Sequence, residues 1–348
     1  MKNAIVSFSV VRRLILILAV SGAGVVLVEL FARYGLGLGT PPLSSPHPRI
    51  EYLFKPDQDL KRFGHRFKVN SYGMRSDDFP AQPAQAEQRI LVFGDSVVVG
   101  GSQLDQRAIA TEQLRERLVA ASPGAQVTVG NVSAGSWGPG NWRAWLNDYG
   151  HLGASKVILV LSSHDLEDHP TFESLNPLTH PEGNPPSATH ELLLRYLNSD
   201  SVMNKIRSLG LFRQSSPVAR SDSRPRSART TLVPLGTPEL SGSQQRGLAE
   251  LRDFTTSLQR QGVLVGIVQF WERDEMMSGR PRPEHPLLLQ LFKEMDVTVV
   301  QSADFFRRCS PNPAVDLYVD NIHPYTEAGQ RCLADAMEAA VMALPSVR

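Results

Sequence analysis

Short, wholly apolar runs, each followed by a stretch with helical spacing, constrain this chain more than any other feature. Ile90-Leu91-Val92-Phe93 carries no polar side chain, which a strand tolerates only when both of its faces are covered. Helices packed on a parallel sheet give that cover. A helix near 108–121 follows, with Leu114 and Leu118 four apart, then a strand at 126–131, a helix around 141–150 and a strand at 156–161. After an interruption the pattern resumes with a helix at 243–261, strands at 263–270 and 297–300, and a last helix from about 325 to 343. This alternation predicts an α/β fold: three layers, α/β/α, around a mostly parallel five-stranded sheet. In such sheets reactive groups collect at the carboxyl ends of the strands. Asp95-Ser96, the segment from Asn131, Ser163-His164-Asp165 and Trp271-Glu272 all fall there. They are expected on one edge of the molecule.

The chain has 348 residues, and its net charge of +1 gives no reason to expect a nucleic-acid partner. Its first residues have a different character. Lys2, Arg12 and Arg13 precede an uncharged run from Leu14 to Val28, and the 19 residues from Leu14 to Ala32 hold one carboxylate, Glu29. A bilayer-spanning helix needs ~17–25 residues, and the basic flank directs the N-terminus to the cytoplasm and the body outward. Residues 1–34 are therefore expected to be a transmembrane anchor. A cleaved signal peptide is the alternative, since Ala19-Val20-Ser21 and Ser21-Gly22-Ala23 are small-x-small. The apolar run continues past both sites. Residues 35–50 read as a Gly/Pro-rich spacer and 51–88 as a lead-in with strand-like pieces, which makes 35–88 a linker before a domain at 89–348. A flexible insertion is expected at about 166–240, with one helix-like stretch near 191–209. Its tract Gln214–Thr231 is expected to be a solvated loop, a polyanion site being the other option. An exported body would put Cys309 and Cys332 where a disulfide is allowed; two buried thiols are the alternative.

Two short motifs carry chemistry. Gly94-Asp95-Ser96 ends the first apolar run, and Asp320-Asn321-Ile322-His323-Pro324 precedes the last helix. A serine hydroxyl is a weak nucleophile until a histidine takes its proton and a carboxylate orients that histidine. Taken singly, Ser96 could only cap a helix, and Asp320 and His323 could only close a turn. Together, in this order, they point to nucleophilic acyl chemistry.

With these blocks the chain resembles the SGNH/GDSL hydrolase superfamily over about 89–343, interrupted by the insertion. The resemblance implies a flavodoxin-like sheet, Ser96 as nucleophile, His323 as general base and Asp320 as its orienting carboxylate, with no cofactor and no metal. Asn131-Val132-Ser133-Ala134-Gly135-Ser136-Trp137-Gly138 resembles the second block, which gives a backbone N–H to the oxyanion hole. Gly135, Ser136 or Gly138 could be that donor. The third block departs from the family pattern Gly-x-Asn-Asp: here it is Ser162-Ser163-His164-Asp165, with His164 at the Asn position. An imidazole N–H also donates, so the expected hole comprises Ser96, Gly135 or Gly138, and His164. Trp271 is expected to bind substrate by stacking on sugar, with core burial as the alternative, which applies equally to Trp137, Trp142 and Trp145. Asp165, Glu167, Asp168 and His169 could suggest a metal, but a solvated loop start is the expectation. The anchor ending in Glu29-Leu30-Phe31, with Val69-Asn70-Ser71-Tyr72-Gly73-Met74-Arg75, is similar to anchored members linked to bacterial exopolysaccharide pathways. It implies a single-pass inner-membrane protein with a periplasmic body, which takes acetyl esters of a polysaccharide or another ester-bearing molecule. An O-acetyltransferase with the same triad, or a catalytically weak scaffold in polysaccharide export, are the alternatives.

Overall fold

The computed structural model describes residues 2–197 and 240–345. The tract Gln214–Thr231 and most of the helix-like 191–209 stretch lie outside these. The lead-in forms two antiparallel hairpins, β1 (Ser44–His47) with β2 (Glu51–Phe54) and β3 (Gln58–Arg62) with β4 (His65–Val69). The central sheet follows: β5 (Gln88–Gly94), β6 (Val127–Ser133), β7 (Lys156–Leu161), β8 (Leu264–Gln269) and β9 (Thr298–Gln301). Its order is β6-β5-β7-β8-β9, and every neighbouring pair is parallel. This is the flavodoxin-like order, and its direction of winding reverses between β5 and β7. A crevice opens at such a reversal, outside the carboxyl ends of the strands.

Alternation along β5 builds the two cores. Ile90 and Val92 pack with Leu114, Leu118, Leu333 and Met337 on one face, while Leu91 and Phe93 pack with Trp142, Trp145, Phe254 and Leu288 on the other. The helices Ala110–Ala121 and Glu327–Ala343 thus cover one side, and Pro139–Tyr149, Gly242–Arg260 and Glu284–Glu294 the other. A disulfide between Cys309 and Cys332 ties the helix Ser302–Cys309 to the last helix.

The N-terminal helix runs from Lys2 to Leu30 and continues as a π-helical turn to Gly35; within Val10–Gly35 its most apolar 18-residue window has a mean hydropathy of 2.6. Its end is built into the body. The Glu29 carboxylate accepts from the Ala188 and Thr189 amides at 3.0 and 2.8 Å, and Ala32, Leu38 and Ala188 form a small buried cluster. The stretch expected to be a spacer is folded at this point. A buried ion pair, Arg62 to Glu191 at 2.5 Å, takes partners from spacer backbone, where the Gly37 carbonyl accepts from Arg62 and the Gly39 amide donates to Glu191, and from the Tyr196 hydroxyl and Arg195. Buried charges demand such partners, and the spacer supplies them.

Candidate active site

Ser96 begins a single helical turn, Ser96–Val99, at the carboxyl end of β5. The turn is tight: Val98 occupies the space where a Cβ on residue 94 would stand, so Gly94 is required. Asp95, almost fully buried, caps the turn by accepting from the Val97 amide at 2.9 Å. Trp142 donates its indole N–H to the Gly94 carbonyl at 2.9 Å and fixes the end of the strand.

The two outer motifs meet here, although 227 positions separate Ser96 from His323. Ser96 Oγ lies 2.8 Å from His323 Nε2, and His323 Nδ1 lies 2.7 Å from Asp320 Oδ2. The other Asp320 oxygen accepts from the Ile322 and His323 amides, each at 2.8 Å. Partial burial pushes the Asp320 carboxyl up, but the hydrogen bonds from His323 and Ile322 outweigh it and hold the group below the usual carboxylate range. Asp320 therefore stays charged, and the His323 ring is held with one nitrogen on a carboxylate and the other on the serine.

Tyr325 was not expected in the site. Its hydroxyl donates to the Ser96 carbonyl at 2.6 Å, and its ring stacks on His323 at 4.6 Å. Burial, with the Asp95 and Asp320 charges, raises the phenol, so it remains a neutral donor. Nothing in the sequence marks Tyr325 except its place two residues after the histidine.

On the oxyanion side the candidates separate. Gly94 pairs with Ser133 in the sheet, so Asp95-Ser96 and Ala134-Gly135 leave neighbouring strands at the same level. The Gly135 carbonyl accepts from Tyr52 at 2.6 Å, which fixes this peptide, and the amide of half-buried Gly135 has no partner among the described residues. Exposed Ser136 has a left-handed backbone, φ 57°. Gly138 has another task. Its amide donates to Asn141 at 3.0 Å, and a Cβ there would strike the Asp165 and Asp168 carbonyls. It serves a close backbone crossing, whereas the amides of Ser96, Gly135 and Ser136 have no partner among the described residues.

His164 does not present an N–H to an oxyanion either. Its Nδ1 is 2.8 Å from Glu272, and its Nε2 is 3.4 Å from both Asp95 and Asp165. Glu272 is held in turn by Arg282 at 2.6 Å. Burial alone would lower the His164 imidazole; the Asp165 charge and the hydrogen bonds to Asp95 and Glu272 outweigh it and push the group up to about 12. Asp165, fully buried next to Asp95, is also raised well above the carboxylate range, by burial first. Asp165 is thus no solvated loop start but a fully buried carboxyl. Asp95, His164 and Asp165 also have donor atoms close enough together to share a metal ion, and Asp165 Oδ1 has no hydrogen-bond partner among the described residues.

Trp271 is engaged by the protein. Its indole N–H donates to Gln301 at 2.9 Å, His285 meets its ring at 5.2 Å, and the Arg307 guanidinium lies 5.2 Å over the ring. Arg307 covers one face of this half-buried ring, which is the ring expected to stack on sugar. Trp137, Trp142 and Trp145 are core residues, each at most 2% exposed. The Val69–Arg75 motif acts from behind the nucleophile. Asn70 accepts from the Tyr72 and Met74 amides at 3.0 Å and closes a turn. That turn inserts Arg75, fully buried, whose guanidinium donates to the Val99, Gly100 and Leu104 carbonyls at 2.8 Å each. The loop leaving the Ser96 turn is pinned by this one side chain.

No family model and no curated protein matches the chain. Among solved structures it is similar to an acetyl xylan esterase from Geobacillus stearothermophilus, at 14% identity over 75% of this chain and 97% of that one, with a TM-score of 0.43. An alpha/beta hydrolase enzyme from the metagenome of Lake Arreo, Spain, has 16% identity over 74% of this chain and 97% of its own, with a TM-score of 0.42. A psychrotrophic esterase from Pseudoalteromonas sp. has 11% identity over 73% and 97%, with a TM-score of 0.39. These likenesses are distant, and the site above stands on its own geometry.

Proposed function

We propose that this protein is a serine-dependent ester hydrolase of SGNH type, held by its N-terminal helix on the outer side of a bacterial inner membrane. One observation carries the chemistry: the unbroken relay from Ser96 Oγ through His323 to Asp320, with contacts of 2.8 and 2.7 Å. His323 Nε2 takes the hydroxyl proton as Ser96 Oγ bonds to the ester carbonyl carbon. The amides of Ser96 and Gly135 receive the oxyanion. Asp320 stabilises the imidazolium, which then gives its proton to the departing alcohol. Water, deprotonated by His323, releases the acid and restores the serine. The intact relay favours turnover over a purely scaffolding part in polysaccharide export. The Cys309–Cys332 disulfide supports an oxidising compartment, and the basic flank at Lys2, Arg12 and Arg13 supports an outward-facing body. The ester-bearing partner is a small molecule or a carbohydrate, and a sugar hydroxyl in place of water would make the same site an acyltransferase.

The test is hydrolysis of a chromogenic acetate ester, with covalent labelling by a serine-directed phosphonate. We expect Ser96→Ala to abolish both turnover and label, a loss of at least ~10³-fold in kcat. Equal rates in the two proteins, or a label mapped elsewhere, would remove this reading. Acetyl release compared with transfer to an added oligosaccharide separates hydrolysis from acyl transfer.

A further inference from the structure

The lead-in hairpin β1–β2 grips the loop after β6 at both ends. At one end Tyr52, 3% exposed, donates its hydroxyl to the Gly135 carbonyl at 2.6 Å and meets the Trp137 ring edge-on, with centres 6.3 Å apart. Burial first, then the Glu51 charge, raises the Tyr52 phenol, so the hydroxyl keeps its proton at neutral pH. At the other end Asn141 accepts from the Gly138 amide at 3.0 Å. It donates to the Ile50 carbonyl at 2.7 Å and to the Glu51 carboxylate at 3.2 Å. Glu51 takes φ 87°, a left-handed backbone that favours glycine. A side chain there costs about 1 kcal/mol or more, yet this one bridges Asn141 and Thr171.

The Tyr52 bond fixes more than a carbonyl. The 135–136 peptide is trans, and in a trans peptide the C=O and N–H point in opposite directions. With the Gly135 oxygen turned inward onto buried Tyr52, the Ser136 N–H is turned outward. Ser136 lies on the exposed side of the loop, and its amide has no partner among the described residues. A bond donated to the carbonyl also polarises the peptide and strengthens its N–H as a donor. Ser136 itself has φ 57° within a turn, a conformation in which successive N–H groups converge on an anion. The loop leaves β6 level with Asp95-Ser96. A donor is wanted at this edge, because His164 stands where the family carries Asn and turns its ring nitrogens to Glu272 and Asp95.

We infer that the Ser136 N–H is a third oxyanion donor, in place of the missing Asn side chain, and that Tyr52 is the positioning residue that aims and strengthens it. The inference rests on the ester-hydrolase reading and deepens it.

The experiment starts from Tyr52→Phe, which keeps the ring against Trp137 and His180 but removes the hydroxyl. Its kinetics on p-nitrophenyl acetate are compared with those of the unaltered full chain. A whole oxyanion donor is worth ~10²–10³ in kcat, so we expect its misplacement to cost about tenfold. KM should stay within about twofold, because the contact is made only in the transition state. The Ki of a trifluoromethyl ketone, whose adduct with Ser96 carries the oxyanion, should rise by the same factor as kcat falls. The donor itself is removed in the background Ser136→Ala by exchanging that residue for lactic acid, so that an ester oxygen replaces the N–H. Relative to Ser136→Ala, kcat should fall by about 10²-fold. Adding Tyr52→Phe should then cost less than about twofold more, since Tyr52 acts through that N–H. Three results would overturn the inference and leave the hydrolase reading standing: an unchanged kcat in Tyr52→Phe, a loss that falls on KM or spares the ketone, or full additivity of the two changes. No turnover by the unaltered chain, or turnover undiminished in Ser96→Ala, removes both.

Discussion

His164 occupies a site between three carboxylates, and its charge state decides what it does for Ser96. Glu272 at 2.8 Å takes Nδ1–H, while Asp95 and Asp165 face Nε2. An imidazolium gives Nδ1–H to Glu272 and turns Nε2–H toward Asp95, whereas Asp165 Oδ1 has no hydrogen-bond partner among the described residues. Asp95 in turn caps the nucleophile turn, so His164 is a positioning residue acting through Asp95. The folded value of about 12 lies above the ordinary 6.5, so the folded state keeps a proton that the unfolded chain loses between these values. The resulting stabilisation is fully present below about pH 6.5 and is lost as pH rises toward 12. His164→Gln removes it. Urea unfolding of both proteins at pH 6, 8 and 10 should show the gap between them narrowing as pH rises, and a gap independent of pH would contradict an imidazolium. The sequence register did put His164 opposite the family's Asn. It could not show that Glu272, 108 positions away, competes for the ring. The relay was legible because each half is local: Asp320 and His323 share one turn, and Ser96 directly ends a strand.

Elements show the same division between local and distant causes. The five sheet strands and the helices around them were legible because apolar runs and four-residue spacing record burial directly. The helices Arg273–Ser278, Glu284–Glu294 and Ser302–Cys309 were not expected. The run Arg280-Pro281-Arg282-Pro283-Glu284-His285-Pro286 looks like loop, yet Pro286 falls in the first turn of the helix Glu284–Glu294, where a missing N–H costs nothing. The hairpin β3–β4 and the Asn70 turn look like lead-in, but they deliver Arg75 to the back of the nucleophile turn. Burial lowers the Arg75 guanidinium to about 9, still charged at neutral pH, and the carbonyls of Val99, Gly100 and Leu104 have it as their donor. Arg75→Met would fill similar space and leave those carbonyls unpaired. We expect a loss of roughly 3 kcal/mol in urea unfolding, together with a lower kcat, because the loop next to Ser96 is released. A stability change below ~0.5 kcal/mol would show that the clamp is dispensable.

For the whole molecule the question is how the body meets the membrane. A loose tether would let the crevice sample every orientation. Here the apolar span ends inside the fold. Glu29 binds the Ala188 and Thr189 amides and is paired with Arg33 at 2.7 Å, while Ala32 is fully buried three residues on. The residues just before this dock, Val25, Val26 and Leu27, are 56–66% exposed. Cleavage at the small-residue sites near Ala23 would leave that apolar stub on a soluble protein, an aggregation hazard. Retention as an anchor avoids it, and the body would then be held against the bilayer by a helix with no free linker. Two measurements follow. The full chain expressed in a bacterial envelope should pellet with membranes through a carbonate wash, and intact-mass analysis should retain the residues before Ala23; a soluble product beginning after Ala23 would refute the anchor. Glu29→Ala should leave the protein in the membrane but speed hydrogen exchange at the Ala188 and Thr189 amides by about tenfold, the effect of ~1.4 kcal/mol of lost capping. Exchange at the unaltered rate would mean that the dock contributes nothing and that the body hangs from the membrane as a freely turning domain.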